Sequence, residues 1–141
     1  VSLPRRECVI EILTKSLGLE VRTGEGAAPR ALADGFKAIL ETRLEYDLTG
    51  EYDHQRPTLL VTVYYTDFPE NEFGLFFSTA RCVLDLVRNG RSLYSYETER
   101  LKEGGLSPEQ ARDRALQRLF AYLEESEDPY REIALAIEGE G

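Results

Sequence analysis

A two-layer α+β sandwich, with the element order β-α-β-β-β-α, is the fold this sequence predicts. Three observations lead to it. Asn89-Gly90 lies between two β-rich runs, 73–87 and 91–101, and both residues tolerate the positive φ of a two-residue type I′ turn. Residues 58–67 alternate apolar and polar positions with the period of a strand. Two segments, from Pro29 to Leu44 and from Ser107 onward, repeat apolar residues at the three- and four-residue steps of an amphipathic helix. Three strands joined by short loops form an antiparallel meander, and two helices on one face complete the second layer.

In chain order, residues 1–6 read as a loose start with little to bury. Residues 7–14 (ECVIEILT) are dense in β-branched and apolar side chains and predict a strand. Residues 17–23 extend or bulge it, with Gly18 as its weak point. The strand joins the sheet in the middle or at an edge. Pro29 suits the first helical turn. Leu32, Phe36, Ile39, Leu40 and Leu44 make that helix's apolar face. Gly35 costs about 1 kcal/mol of helix propensity, and suggests a close approach of the helix to the sheet. Residues 46–55 predict a polar loop.

The hairpin follows. If Arg88 and Arg91 close its turn, a regular ladder sets Leu86 opposite Leu93, Leu84 opposite Ser95 and Val83 opposite Tyr96. Ala80, Cys82, Leu84 and Leu86 then face the helices. Ser107, Pro108 and Gln110 spell a capped helix start, with Leu106 expected to staple onto Ala111. Ala111, Ala115, Leu119, Tyr122 and Leu123 form its inner face. Asp128-Pro129 starts a last short helix in which Tyr130, Ile133, Ala134 and Ile137 pack, and residues 138–141 are expected to fray. The whole reads as one domain over 1–141, without repeats or linkers.

A formal net charge of -9, from 26 acidic against 17 basic residues, excludes a phosphate-binding surface and so argues against nucleic acid. It also disfavours an anionic membrane face. No apolar run is long enough to span a bilayer. Two cysteines, Cys8 and Cys82, are too few for a disulfide framework or zinc site. They read as buried thiols, bridged only if their strands are neighbours in an oxidising compartment. Gly24 and Gly26 lack the spacing of a phosphate loop, and Asp47, Glu51 and Asp53 fit no calcium loop. The one histidine, His54, has no partner at catalytic or metal-binding spacing. The reading is therefore no catalytic residues, no metal and no cofactor.

The aromatic residues of the meander are the best handle on a binding surface. On the regular register, Tyr94 and Tyr96 share the sheet face away from the helices with Val83 and Asp85, and Tyr64 is their neighbour. Tyr64, Tyr94, Tyr96 and Asp85 are therefore the expected partner-binding residues, in a wet, moderately polar interface or a self-association patch.

The order strand, helix, meander and capped helix carries a resemblance. Gly105, Ser107, Ala111, Ala115 and Leu116 give a G-x-S-x-x-x-A-x-x-x-A-L helix start. The run LDLVRNGRSLYS resembles the hairpin that precedes such a helix in small bacterial cell-envelope domains. These are the lipopolysaccharide-assembly lipoproteins, the flagellar and curli accessory lipoproteins, and the N-terminal domain of the Tol-Pal β-propeller protein. The resemblance implies a periplasmic or outer-membrane-associated binding or assembly domain, not an enzyme, that contacts protein or glycolipid. It also implies an acylated cysteine at the mature N-terminus. Cys8 follows Pro4-Arg5-Arg6-Glu7, which is no lipobox of small apolar residues, so the expected signal and anchor would precede Val1. The competing reading is a cytosolic protein-interaction or regulatory module. A carboxylate-based hydrolase is the third.

Overall fold

The computed structural model describes residues 16–49 and 56–140. The predicted strand at 7–14, Cys8 and His54 lie outside the described residues. Within them, the chain order is β1 (Ser16–Thr23), β2 (Gly26–Ala27), α1 (Arg30–Leu44), β3 (Asp47–Thr49), β4 (Thr58–Phe68), β5 (Phe76–Arg88), β6 (Arg91–Glu97), β7 (Leu101–Gly105), α2 (Pro108–Glu125) and α3 (Asp128–Glu140). The strands form one mixed sheet in the order β2-β1-β4-β5-β6, with β3 also on β1 and β7 also on β5. The two-layer α+β sandwich and the antiparallel meander are as expected.

The strand before the first helix lies in the interior of the sheet. β1 runs parallel to β4, from Gly18↔Thr58 to Thr23↔Val63, so β1, α1 and β4 make a parallel crossover. Gly18 also pairs with Thr49 of β3, which puts β3 on the edge of β1 opposite β4. The polar loop expected at 46–55 is corrected at Asp47–Thr49, and its part at 50–55 lies outside the described residues. Leu48 is buried against the core, and its N–H donates to the Glu41 carboxylate at 3.0 Å. A single apolar side chain with a parallel neighbour was enough to recruit a three-residue strand.

The core lies between the sheet and the helices. Leu59, Val61 and Val63 of β4 and Ala80, Cys82, Leu84 and Leu86 of β5 are fully buried. Leu32, Phe36, Leu40 and Leu44 of α1 and Ala111, Ala115, Leu119 and Leu123 of α2 meet them; Ile39 is half-buried. The close approach expected of Gly35 is to helix α2, not to the sheet. A Cβ there would lie 2.9 Å from the Phe120 ring, whose edge meets Phe36 at 5.0 Å between centroids.

The caps are largely those the sequence spells. Ser107 Oγ accepts the Gln110 N–H at 3.1 Å, and Gln110 Oε1 accepts the Leu106 N–H at 2.7 Å. The expected staple of Leu106 is absent: its side chain is 74% exposed. At the other end, Arg43 donates to the Ser126 carbonyl and stacks on Tyr130, joining α1 to the α2–α3 junction. Helix α3 continues to Glu140, where a frayed tail was expected, and buries Tyr130 and Ile133.

The hairpin turn has the expected backbone, with φ of 54° at Asn89 and 76° at Gly90. Its register differs. After Arg88↔Arg91 and Val87↔Ser92, the next pair is Leu86↔Tyr94, followed by Asp85↔Ser95 and Leu84↔Tyr96. Leu93 is the extra residue of a β-bulge, and it inverts the phase of everything beyond it. The strand predicted at 91–101 is also divided. Thr98 bonds Cys82 with both its N–H and its Oγ1, so the chain steps aside before resuming as β7.

Candidate functional site

The helices cover one face of the sheet. The other carries, among the described residues, no helix. Residues directly opposite on paired strands share a face, so the outer face is read from the register. It holds Leu60, Thr62, Tyr64 and Phe68 of β4, with Phe77, Thr79, Arg81, Val83, Asp85 and Val87 of β5. Lys102 of β7 and Ser95 and Glu97 of β6 extend it.

Cations lie over aromatic rings along this face. The Arg81 guanidinium sits 4.4 Å from the centre of the Tyr64 ring and bonds Glu97 at 2.5 Å. Lys102 Nζ lies 4.7 Å from the Phe68 ring and 5.2 Å from Phe77. At exposed sites such cation–ring pairs are worth about 0.5–1 kcal/mol each. Exposed ion pairs of this kind contribute little to stability, about 0–1 kcal/mol each.

Two of the four expected binding residues belong to this face. Tyr64 is 38% exposed. Asp85 accepts the Ser92 hydroxyl at 2.7 Å. Tyr94 and Tyr96 do not belong to it, and their predicted orientation is corrected. The Leu93 bulge turns both toward the helices, where the Tyr96 hydroxyl meets that of Tyr122 on α2 at 3.1 Å. Burial, then the Tyr122 hydrogen bond, pushes the Tyr96 phenol well above its ordinary value. The Tyr94 phenol is raised by burial and by the carboxylates of Glu132 and Asp128 on α3. A regular ladder would have put these rings outside; sequence alone carries no mark that Leu93 is the residue left out.

A second feature was not foreseen. A cleft of about 730 Å³ opens between α1, α2 and the ends of β1 and β4. Leu32, Val63, Leu116 and Phe120 supply apolar wall, and Glu25, Arg112 and Gln117 stand among its polar lining. Arg112 is held in place: it bonds Asp67 and lies 4.7 Å from the Tyr65 ring centre. The Arg112 bond, reinforced by the Ser78 hydroxyl, keeps the Asp67 carboxyl below its usual range. Burial raises the Tyr65 phenol. Residues of β1, β4, α1 and α2 meet here from distant parts of the chain, so no spacing marked the cleft.

Cys82 is buried and free, and burial pushes its thiol up to about 12, so it is not a thiolate nucleophile. Among the described residues no three His, Cys, Asp or Glu side chains converge as a metal site, and no helix is long and apolar enough to cross a membrane.

The chain thus defines a two-layer α+β domain with a mixed sheet, one face of which carries no helix among the described residues. Solved structures share that architecture. A minor lipoprotein from Acinetobacter baumannii superposes with a TM-score of 0.52 at 15% identity, over 89% of this chain and 92% of that one. A protein of Helicobacter pylori described as a homologue of neuraminyllactose-binding hemagglutinin gives 0.51 at 10% identity, over 91% of each chain. The rare lipoprotein B from Shewanella oneidensis aligns over 87% of this chain and 97% of that one, at 7% identity and a TM-score of 0.42. The fold is therefore shared with a bacterial lipoprotein, the Acinetobacter protein, as the hairpin and helix-start resemblance implied. No protein-family model and no curated protein matches the chain in sequence.

Proposed function

We propose that this chain is a non-enzymatic binding or assembly domain of the bacterial cell envelope, periplasmic or at the outer membrane, acting through protein or glycolipid contacts. The observation that carries the reading is the sheet face without a helix among the described residues, in a fold shared with a bacterial lipoprotein. A sheet face bearing half-exposed Tyr64, Phe68 and Val83 beside Arg81, Asp85 and Glu97 has the mixed aromatic and polar character of a protein interface. The apolar wall of the α1–α2 cleft gives an acyl chain somewhere to go. The perturbed groups support a binding role over catalysis. Asp67 is spent on Arg112, and the Cys82 thiol is buried.

The test places p-benzoylphenylalanine at position 64 in the intact protein in living bacteria, and titrates purified protein with lipopolysaccharide micelles. A protein adduct from position 64, or micelle binding that Leu116→Trp abolishes by filling the cleft, supports the reading. An intact, folded protein that gives neither refutes it.

A further inference from the structure

The far end of the β4–β5 hairpin exposes the two most accessible large apolar side chains among the described residues. Phe73 is 77% exposed and Leu106 is 74% exposed; Phe68, at the end of β4, is 39% exposed. The pair Phe76↔Gly105 places Leu106 beside Leu75, at the same end of the sheet as Phe73. The pair Phe68↔Phe77 closes the hairpin there. These side chains gather on one tip of the molecule.

The loop that carries Phe73 is fixed. Asn71 Oδ1 accepts the N–H groups of Phe73 and Leu75 at 2.9 and 3.0 Å. The Asn71 N–H donates to the Leu75 carbonyl at 2.9 Å, and the Gly74 N–H donates to the Asn71 carbonyl at 3.1 Å. Gly74 takes a φ of +77° that lets the turn close. All four bonds bind backbone, and none uses the Phe73 ring, which lies outside the core cluster. A large apolar ring presented to solvent on an ordered loop has already met the ordering cost that usually weakens an anchor residue.

Charge selects the occupant. Glu70 and Glu72 precede Phe73 in the same loop, and neither makes an ion pair among the described residues. The basic groups near this end have partners elsewhere: Arg112 with Asp67, Arg118 with Glu103, Arg114 with the Gly104 carbonyl, and Lys102 over Phe68 and Phe77. The Phe73 loop is an apolar knob beside two carboxylates that make no ion pair among the described residues, on a chain of net charge -9. Anionic lipid headgroups would repel those carboxylates. A second copy would bring a like charge against them.

We propose that the tip formed by Glu70–Leu75 and Leu106 docks a protein partner that offers an apolar pocket rimmed by Lys or Arg, with Phe73 entering the pocket. The inference rests on the reading of the chain as a binding domain, and it adds a surface distinct from Tyr64 and the cleft.

The test uses p-benzoylphenylalanine at position 73, at position 106 and, as control, at Leu135 on α3, in the intact protein in living bacteria. Expected are protein adducts of one size from 73 and 106 and none from 135, with the cross-linked partner segment flanked by Lys or Arg. With the cross-linker at 106, Phe73→Ser and the pair Glu70→Lys, Glu72→Lys should each cut adduct yield about tenfold or more while leaving the melting temperature unchanged. Adducts to a second copy or to lipid, no adduct, or a yield indifferent to the charge reversal overturns the proposal. A protein adduct from position 64 with none from 73 would leave the binding domain standing and remove only the tip.

Discussion

Tyr64 and Tyr96 lie in neighbouring parts of one meander, yet their rings serve opposite layers. Tyr64 lies outward beneath Arg81, so its loss removes an exposed contact worth about 0.5–1 kcal/mol at most. Tyr94 and Tyr96 pack against the core cluster, and Tyr96 bonds Tyr122. Replacing both by serine is expected to cost about 2–4 kcal/mol, because two half-buried rings leave space that the helices fill only in part. Tyr64→Ser should stay within about 1 kcal/mol of the wild type. Urea melts of the two variants decide the matter: a Tyr94→Ser, Tyr96→Ser protein as stable as the wild type would return those rings to the outer face.

Among the elements, the β5–β6 hairpin shows how one residue redirects a strand. Leu93 is the surplus position between Val87↔Ser92 and Leu86↔Tyr94. Deleting it should heal the ladder without moving any other pair, since Tyr94 would then follow Ser92 directly opposite Leu86. The expected loss is about 1 kcal/mol, the packing of one half-buried side chain, with the Tyr96–Tyr122 contact retained. A loss above about 3 kcal/mol in denaturant melts, or disappearance of nuclear Overhauser contacts between Tyr96 and Tyr122, would show that the bulge itself is required.

Across the whole molecule, the Asp67–Arg112 bond ties the end of the sheet to the first turns of α2, with Ser78 donating to the same carboxylate. The folded state holds the Asp67 carboxyl below its ordinary value of 3.8, chiefly through Arg112. Its contribution is therefore complete above the unfolded carboxylate range and is lost as pH falls through the folded value. Asp67→Asn should lower stability at neutral pH by up to about 1 kcal/mol, a small figure because both partners are exposed. The two proteins should converge in stability as pH falls below the carboxylate range. Parallel thermal melts from pH 7 to 3 check this; a constant gap across that range would mean the ionised carboxylate contributes nothing.

Local physics was readable in advance and long-range geometry was not. Asn89-Gly90 specified its own turn, because both residues tolerate positive φ. Ser107, Pro108 and Gln110 specified a helix start within four residues, and the apolar periods of 58–67 and of both helices specified which faces are buried. Each of these rests on interactions between neighbours in sequence. The Leu93 bulge, the recruitment of Leu48 into β3, the parallel seat of β1 beside β4 and the contact of Gly35 with Phe120 each depend on what the rest of the chain places opposite. The residues expected to bind a partner divided along the same line. Tyr64 and Asp85 kept the outward phase read from β4 and β5, whose alternation is unbroken. Tyr94 and Tyr96 lost it to a single inserted residue, because strand phase is conserved along a ladder only while no residue is skipped. Only the tertiary structure could assemble the cleft, and only it could leave Leu106 exposed beside the Phe73 loop, since β7 and α2 reach that end of the sheet from a distant part of the chain.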